Sequence, residues 1–325
     1  MIVPHRFEFA VTPPTQLAPV GEWVDVLQRI EDMGFATVVV ADHFTGEWVV
    51  EPMIALTAAA MATTSLRVQT GVLGNDYRHP VQVHRMAAAL DAVSGGRFTL
   101  GLGAGWLASD YEAAGLPYDP PGIRVDRLVE SIAVIKALFG PEPVDFEGKH
   151  YQVRGLQGSP APVQRPHPPL FVGGGSPRVL RLAGREADIV GINASLRAGE
   201  LGAHAVTDLR RERVAEKVGW VLDAATAAGR RREDVALEMN HWLVRVTATE
   251  SEADEYLARI AARYEVEPAA LAESPSVLVG TASRCIDVLQ ERRESLGFSH
   301  LQLDAGFPPK DLESLATIVA ALAGT

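Results

Sequence analysis

An acid and an imidazole, Asp42 and His43, end the β-branched run Val38 to Val40 with Ala41. A histidine at the carboxyl end of a barrel strand can act as general acid or base near neutral pH, and a neighbouring carboxylate can fix its position and protonation. The alternative is that Asp42 caps the next turn and His43 is a satisfied core histidine. A second segment, Val68 to Leu73, carries Gly71 inside a strand pattern and runs through Gly74, Asn75, Asp76, Tyr77, Arg78 and His79 to Pro80. Glycine there marks a bulge that eases barrel closure or the close approach of a ligand. Arg78 would meet an anion or pair with a surface acid.

Two further segments are glycine-rich. Leu90 to Trp106 stops a helix at Gly95-Gly96 and then spaces Gly101, Gly103 and Gly105 at alternate positions. Alternate glycines leave one strand face without side chains, so a flat ring could lie there; otherwise they form a tight rim covered by Trp106. The pattern is no dinucleotide fingerprint, because Trp106 occupies the place of the third glycine. Leu170 to Arg178 has a strand, then Gly173, Gly174 and Gly175, then Ser176 as a cap and Pro177 at the first helical position. Exposed amides and a helix dipole, with Arg178 beside them, make an anion site, and a cofactor phosphate is its natural occupant. A purely structural turn would need fewer glycines. The nine histidines are scattered, and no metal-ligand, Walker or nucleophile-elbow pattern is present, so no metal is expected.

The elements that must position these residues alternate between short β-rich runs and longer amphipathic ones. Eight strands are expected at Phe7 to Val11, Thr37 to Ala41, Leu66 to Leu73, Phe98 to Leu102, Leu170 to Val172, Ile189 to Ile192, Leu237 to Val246 and Leu301 to Leu303. Helices are expected at Gly21 to Met33, Pro52 to Ala62, Val81 to Ala92, Val125 to Phe139, Arg178 to Ala183, Thr207 to Ala228, Glu252 to Ala262, Thr281 to Leu296 and Leu312 to Leu322. Eight such units close a (β/α)₈ barrel, an α/β TIM barrel; a doubly wound sheet is the alternative. The longest interruption, about 140–169, reads as an insertion with a hairpin-like stretch from Asp145 to Tyr151, expected at the C-terminal face where it would shape the pocket together with Asn193 to His204.

With 47% hydrophobic and 22% charged residues, the 325-residue chain has ample material for one large core. A net charge of −11 without any Lys/Arg run argues against nucleic acid and anionic membranes as partners. The single cysteine, Cys285, cannot form an internal disulfide, and Met1 to Phe9 lacks the apolar core of a signal peptide, so a cytoplasmic location is expected.

In order and spacing, Ala41-Asp42-His43, Asn75 to Pro80, Leu90 to Trp106 and Val172 to Ser176 resemble the bacterial luciferase-like monooxygenase superfamily, in particular its coenzyme F420-dependent oxidoreductase branch. Ser274 to Thr281 and Leu289 to Gly297 resemble the late part of the same branch, so the likeness spans nearly the whole chain as one barrel, 1–325. The resemblance implies an isoalloxazine or deazaflavin ring in the barrel mouth. It places the phosphate near Gly175, Ser176, Arg178 and Val179, a non-prolyl cis peptide at Gly71-Val72 against the ring, and further cofactor contacts at Asp42, Gly74, Gly103, Gly105 and Ser109. His43 matches the histidine that exchanges a proton with substrate during hydride transfer.

One departure matters. In the sugar-phosphate dehydrogenases of this branch an acid stands where this chain has Trp106, and an asparagine where it has Ser109, which counts against sugar-phosphate oxidation. Trp106, with Asn193, would instead wall a pocket for an apolar or conjugated small organic substrate. The implied activity is hydride transfer between coenzyme F420 and such a substrate, with His43 handling the proton. The alternatives are a monooxygenase using reduced FMN and dioxygen, and a barrel that binds ligands without a cofactor. A separate reductase and a homodimer are the partners the resemblance implies.

Overall fold

The computed structural model describes residues 5–17, 19–46, 50–196, 199, 203–303 and 312–325. Eight barrel strands, numbered in chain order, are β1 Glu8–Val11, β2 Thr37–Val40, β3 Arg67–Thr70, β4 Phe98–Gly103, β5 Leu170–Gly174, β6 Ile189–Ile192, β7 Ala236–His241 and β8 Phe298–Leu303. Every neighbour pair is parallel, and the pairings of β1 with β8 and of β3 with β4 close the ring. Strands such as β2, Thr-Val-Val-Val, are buried on both faces, because side chains fill the barrel inside and helices cover it outside.

The helices are α1 Val20–Asp32, α2 Pro52–Ala62, α3 Pro80–Val93, α4 Ala108–Ala114, α5 Pro121–Leu138, α6 Pro177–Glu186, α7 Ala203–Asp208, α8 Arg211–Ala227, α9 Glu250–Tyr264, α10 Pro268–Ala272, α11 Ala282–Leu296 and α12 Leu312–Leu322. Their starts follow local chemistry. Proline opens α2, α3, α5 and α6, where its missing N–H costs nothing, and Glu51 caps α2 by accepting from the Ile54 amide at 2.7 Å. Phe9, Val38, Val68, Phe98, Leu100, Phe298 and Leu301 are buried in one core that joins the strands to the surrounding helices. No helix among the described residues is long and apolar enough to cross a membrane.

Three expectations need correction. The strand expected over Leu66 to Leu73 is interrupted after Thr70 by a cis Gly71-Val72 peptide and resumes as Leu73–Gly74 beside β4. The strand expected over Leu237 to Val246 is two: after β7, Leu243–Val246 leaves the barrel to pair with Val277–Gly280. It does so because Leu243 and Val277 bury themselves against Leu257 and Ala261 of α9 in a separate small core. The helix expected over Thr207 to Ala228 is likewise broken between α7 and α8.

The insertion is an antiparallel hairpin, Val144–Glu147 with Gln152–Leu156, whose Val144 and Val153 pack on Val134 and Leu138 of α5. Its proline-rich continuation is held by Asp91, which accepts from the Val163 and Gln164 amides at 2.6 and 2.9 Å. Tyr151 reaches the turn after β3, where its hydroxyl accepts from Asn75 Nδ2 at 3.2 Å.

Candidate active site

A cavity of about 710 Å³ opens at the carboxyl ends of the strands. His43, Asp42, Gly71, Val72, Gly74, Gly103, Gly105 and Trp106 line it on the β2–β4 side, and Gly175, Ser176, Arg178, Val179 and Asn193 on the β5–β6 side. Ser109 stands apart from it, its hydroxyl 2.8 Å from that of Thr45. No residue of the insertion lines the cavity, contrary to expectation: it connects a helix to the next strand and lies along the outside of α5. Asn193, Ala194, Ser195 and Leu196 do contribute walls, while positions 197, 198 and 200–202 of that expected region lie outside the described residues.

His43 is oriented by a carboxylate 67 positions away, not by its neighbour. Its Nδ1 lies 2.6 Å from Asp110 Oδ2. The other oxygen of the fully buried Asp110 accepts from the Phe44 and Thr45 amides at 3.0 and 2.9 Å and from the Thr45 hydroxyl at 2.8 Å, while Tyr77 donates to Oδ2 at 3.2 Å. Burial alone would raise the Asp110 carboxyl; the His43 and Thr45 bonds, the His43 charge and the Phe44 amide outweigh it and hold the group below the usual carboxylate range. An ionised acceptor at Nδ1 keeps the hydrogen on that nitrogen. Trp106 meets the imidazole edge-on, ring centres 5.6 Å apart.

Asp42 is turned the other way. Buried, it accepts two bonds from Arg78 and one from the Gly74 amide at 3.0 Å, tying the end of β2 to the loop beyond the cis peptide. Arg78 thus pairs with an acid, and its second partner is Glu51.

The glycines divide between packing and exposure. A Cβ on Gly101 would lie 1.8 Å from the Thr70 carbonyl oxygen and one on Gly103 2.5 Å from Val72 Cγ2, so β4 must be bare for the interrupted β3 to press against it. Gly103 and Gly105 also line the cavity. At Gly173 a Cβ would find 3.3 Å to the Phe171 ring and 3.6 Å to Asn193 and Val72, so only side chains in the cavity wall, and the Phe171 ring foremost, would have to give slightly.

The β5–α6 turn forms the expected helix start, with Ser176 Oγ accepting from the Val179 amide at 3.4 Å. Arg178 donates to the Gly122 carbonyl at 3.0 Å and to the Asp126 carboxylate, which joins the first turns of α5 and α6 at this end of the cavity. From α8, the fully buried Lys217 donates to the Asn193 carbonyl beyond β6 at 2.8 Å, the Asp208 carbonyl at 3.1 Å and the Asp208 carboxylate at 2.6 Å.

Sequence reasoning missed Asp110 and also the β7 wall, where Glu238, Asn240 and Trp242 line the cavity at alternate positions. The period-two pattern from Leu237 to Trp242 was the available signal. Gln302 stands beside Asn240 in register and donates to the Thr12 hydroxyl at 3.1 Å.

These residues fit a flavin-like cofactor. The glycine-lined wall, a cavity of about 710 Å³ and a Ser176-capped helix N-terminus at one end have the shape and polarity for a planar ring carrying a phosphate. No cluster of metal-ligating side chains occurs among the described residues.

A family model described as luciferase-like monooxygenase matches residues 1–300. The chain is 29% identical over 309 residues to 4-hydroxyprotoasukamycin monooxygenase of Streptomyces nodosus subsp. asukaensis, covering 86% of this chain and 81% of that one. It is also 29% identical over 242 residues to F420-dependent glucose-6-phosphate dehydrogenase of Microbacterium testaceum, covering 72% and 67%. An F420-dependent secondary alcohol dehydrogenase solved with an F420-acetone adduct shares the fold, with a TM-score of 0.78 over 98% of this chain and 99% of that one at 19% identity.

Proposed function

The chain belongs to the luciferase-like monooxygenase family of oxidoreductases, and on that premise we propose that it moves a hydride between coenzyme F420 and a small organic substrate, with His43 as proton donor or acceptor. The observation that carries this reading is His43, held through Nδ1 by Asp110, beside a glycine-walled slot that ends at the Ser176-capped start of α6.

A bound deazaflavin supplies a two-electron hydride donor or acceptor. Gly175, Ser176 and the first turn of α6 hold its phosphate, with Arg178 adding positive charge at that end. Gly71, Val72, Gly74 and Gly103 flank the ring, and Asp42 fixes that wall through Arg78 and the Gly74 amide. His43 Nε2 gives or takes the proton that accompanies hydride movement, and Asp110 keeps the imidazole in the tautomer and orientation this requires. Trp106, edge-on to His43, forms part of the cavity wall against which the substrate packs.

A second reading is an FMN-dependent monooxygenase on the same residues, favoured by the named monooxygenase that matches at the same 29% identity. Equilibrium titration of the purified protein with F420 and with FMN, followed by ring fluorescence, separates the two. Micromolar F420 binding with FMN at least tenfold weaker is expected; the reverse order supports the monooxygenase, and binding of neither ring contradicts both.

A further inference from the structure

The cavity is electrically lopsided. Its two cationic lining residues among those described, Arg124 and Arg178, both stand at the starts of α5 and α6. Arg124 donates to the Asp119 carbonyl at 2.7 Å and lies 4.2 Å over the Tyr118 ring, so it too is anchored at that end. Across the barrel, four strands round from the cis peptide after β3, β7 turns Glu238, Asn240 and Trp242 inward. Glu238 is 5% exposed. Gly191 on the neighbouring strand makes room for it: a Cβ there would come within 2.8 Å of Glu238 Oε2 and 2.5 Å of Phe171 Cζ. Two positions along, Asn240 Oδ1 is a buried acceptor with no hydrogen-bond donor among the described residues. A buried acceptor left without a donor is unfavourable, and a ligand donor would relieve that. Above these acceptors the wall becomes apolar, with Trp242 against Tyr264 at 5.5 Å and Val206 in the same small core.

We propose that the β7 wall is the substrate's specificity site, and that it takes a conjugated molecule presenting an N–H or ammonium donor to Glu238 and Asn240 while its body packs on Trp242. The proposal rests on the reading of the opposite end as the cofactor's anion site. A carboxylate or phosphate on the substrate would meet the Glu238 carboxylate in a confined, poorly solvated space, where like charges repel strongly. A nitrogen donor meets two acceptors on one strand face.

Size-matched probes test this: 2-naphthylmethylamine against 2-naphthoate, with binding measured by equilibrium dialysis to the whole protein, both with and without saturating F420. The amine is expected to bind at least tenfold more tightly than the carboxylate. In Glu238→Gln that preference should shrink at least tenfold, and in Asn240→Asp, which adds a second carboxylate, it should grow. Equal or tighter binding of the naphthoate overturns the proposal, as does a preference that neither substitution moves. F420 titration of the same samples keeps the two readings apart: a protein that prefers the amine yet binds no ring contradicts the cofactor assignment and leaves the β7 site standing.

Discussion

His43 was visible in the sequence because it ends a β-branched run, a purely local signal; the group that controls it was not. Asp110 sits in α4, a two-turn helix with no strong apolar period, and reaches His43 only once β2 and β4 have been brought to either side of β3 in the barrel. Asp42 was the obvious carboxylate by adjacency, but alternation along an extended chain sends neighbours to different sides, and Asp42 is taken by Arg78. Replacing Asp110 with Asn keeps the shape while losing the charge that fixes the imidazole tautomer. Asp110→Asn is therefore expected to lower kcat on the order of 10²-fold with KM within about threefold of wild type, since a partner that orients a catalytic imidazole acts on the chemical step. Steady-state kinetics with a turned-over substrate decides it, and an unchanged kcat would remove Asp110 from the positioning role.

Among the elements, barrel strands and most helices followed from periodicity, and the misses share one cause. Where a segment leaves the barrel, as Leu243–Val246 does, its apolar alternation is that of a barrel strand, and only the partner strand Val277–Gly280, far along the chain, tells the two apart. The wall between β6 and α8 shows the same dependence on distant contacts. Lys217, on α8, clamps both ends of the segment from Asn193 to Asp208, and Asp208 Oδ2 also accepts from the Ser195 amide at 2.8 Å. Removing the ammonium leaves the half-buried Asp208 carboxylate with only Arg213 and the Ser195 amide as partners, which costs about 1–3 kcal/mol. Lys217→Met should lower the urea midpoint accordingly and raise KM through a displaced Asn193–Leu196 wall, whereas Lys217→Met with Asp208→Leu should recover much of the stability. If the single variant unfolds at the wild-type urea concentration, the clamp contributes nothing.

At the scale of the molecule, the barrel was legible because eight βα units recur, and the position of the mouth follows from it: polar and glycine-rich strand ends gather at one face. The closed core also carries an acid sensitivity. Burial first, and then the nearby Arg292 charge, pushes the His241 imidazole down to about 3, so it stays neutral in the folded chain. Below pH 6.5 the unfolded chain binds a proton that the folded chain refuses until about pH 3, so stability falls across that window by up to about 1.4 kcal/mol per pH unit from this residue. Urea unfolding between pH 4 and 6 should show a shallower dependence in His241→Gln by close to one proton, and an identical slope would assign the acid sensitivity elsewhere. The central claim is that the mouth of this barrel is a ring-binding slot walled by glycine. Gly173 tests it most directly, because a side chain there fills the cavity wall without striking backbone. The decisive measurement is a fluorescence titration of wild type and Gly173→Val with F420 and FMN, alongside their melting temperatures. Micromolar ring binding by wild type, weakened at least tenfold in a variant that melts within a few degrees of it, is the predicted result; equal affinity in the two proteins, or no ring bound by wild type, would contradict the account.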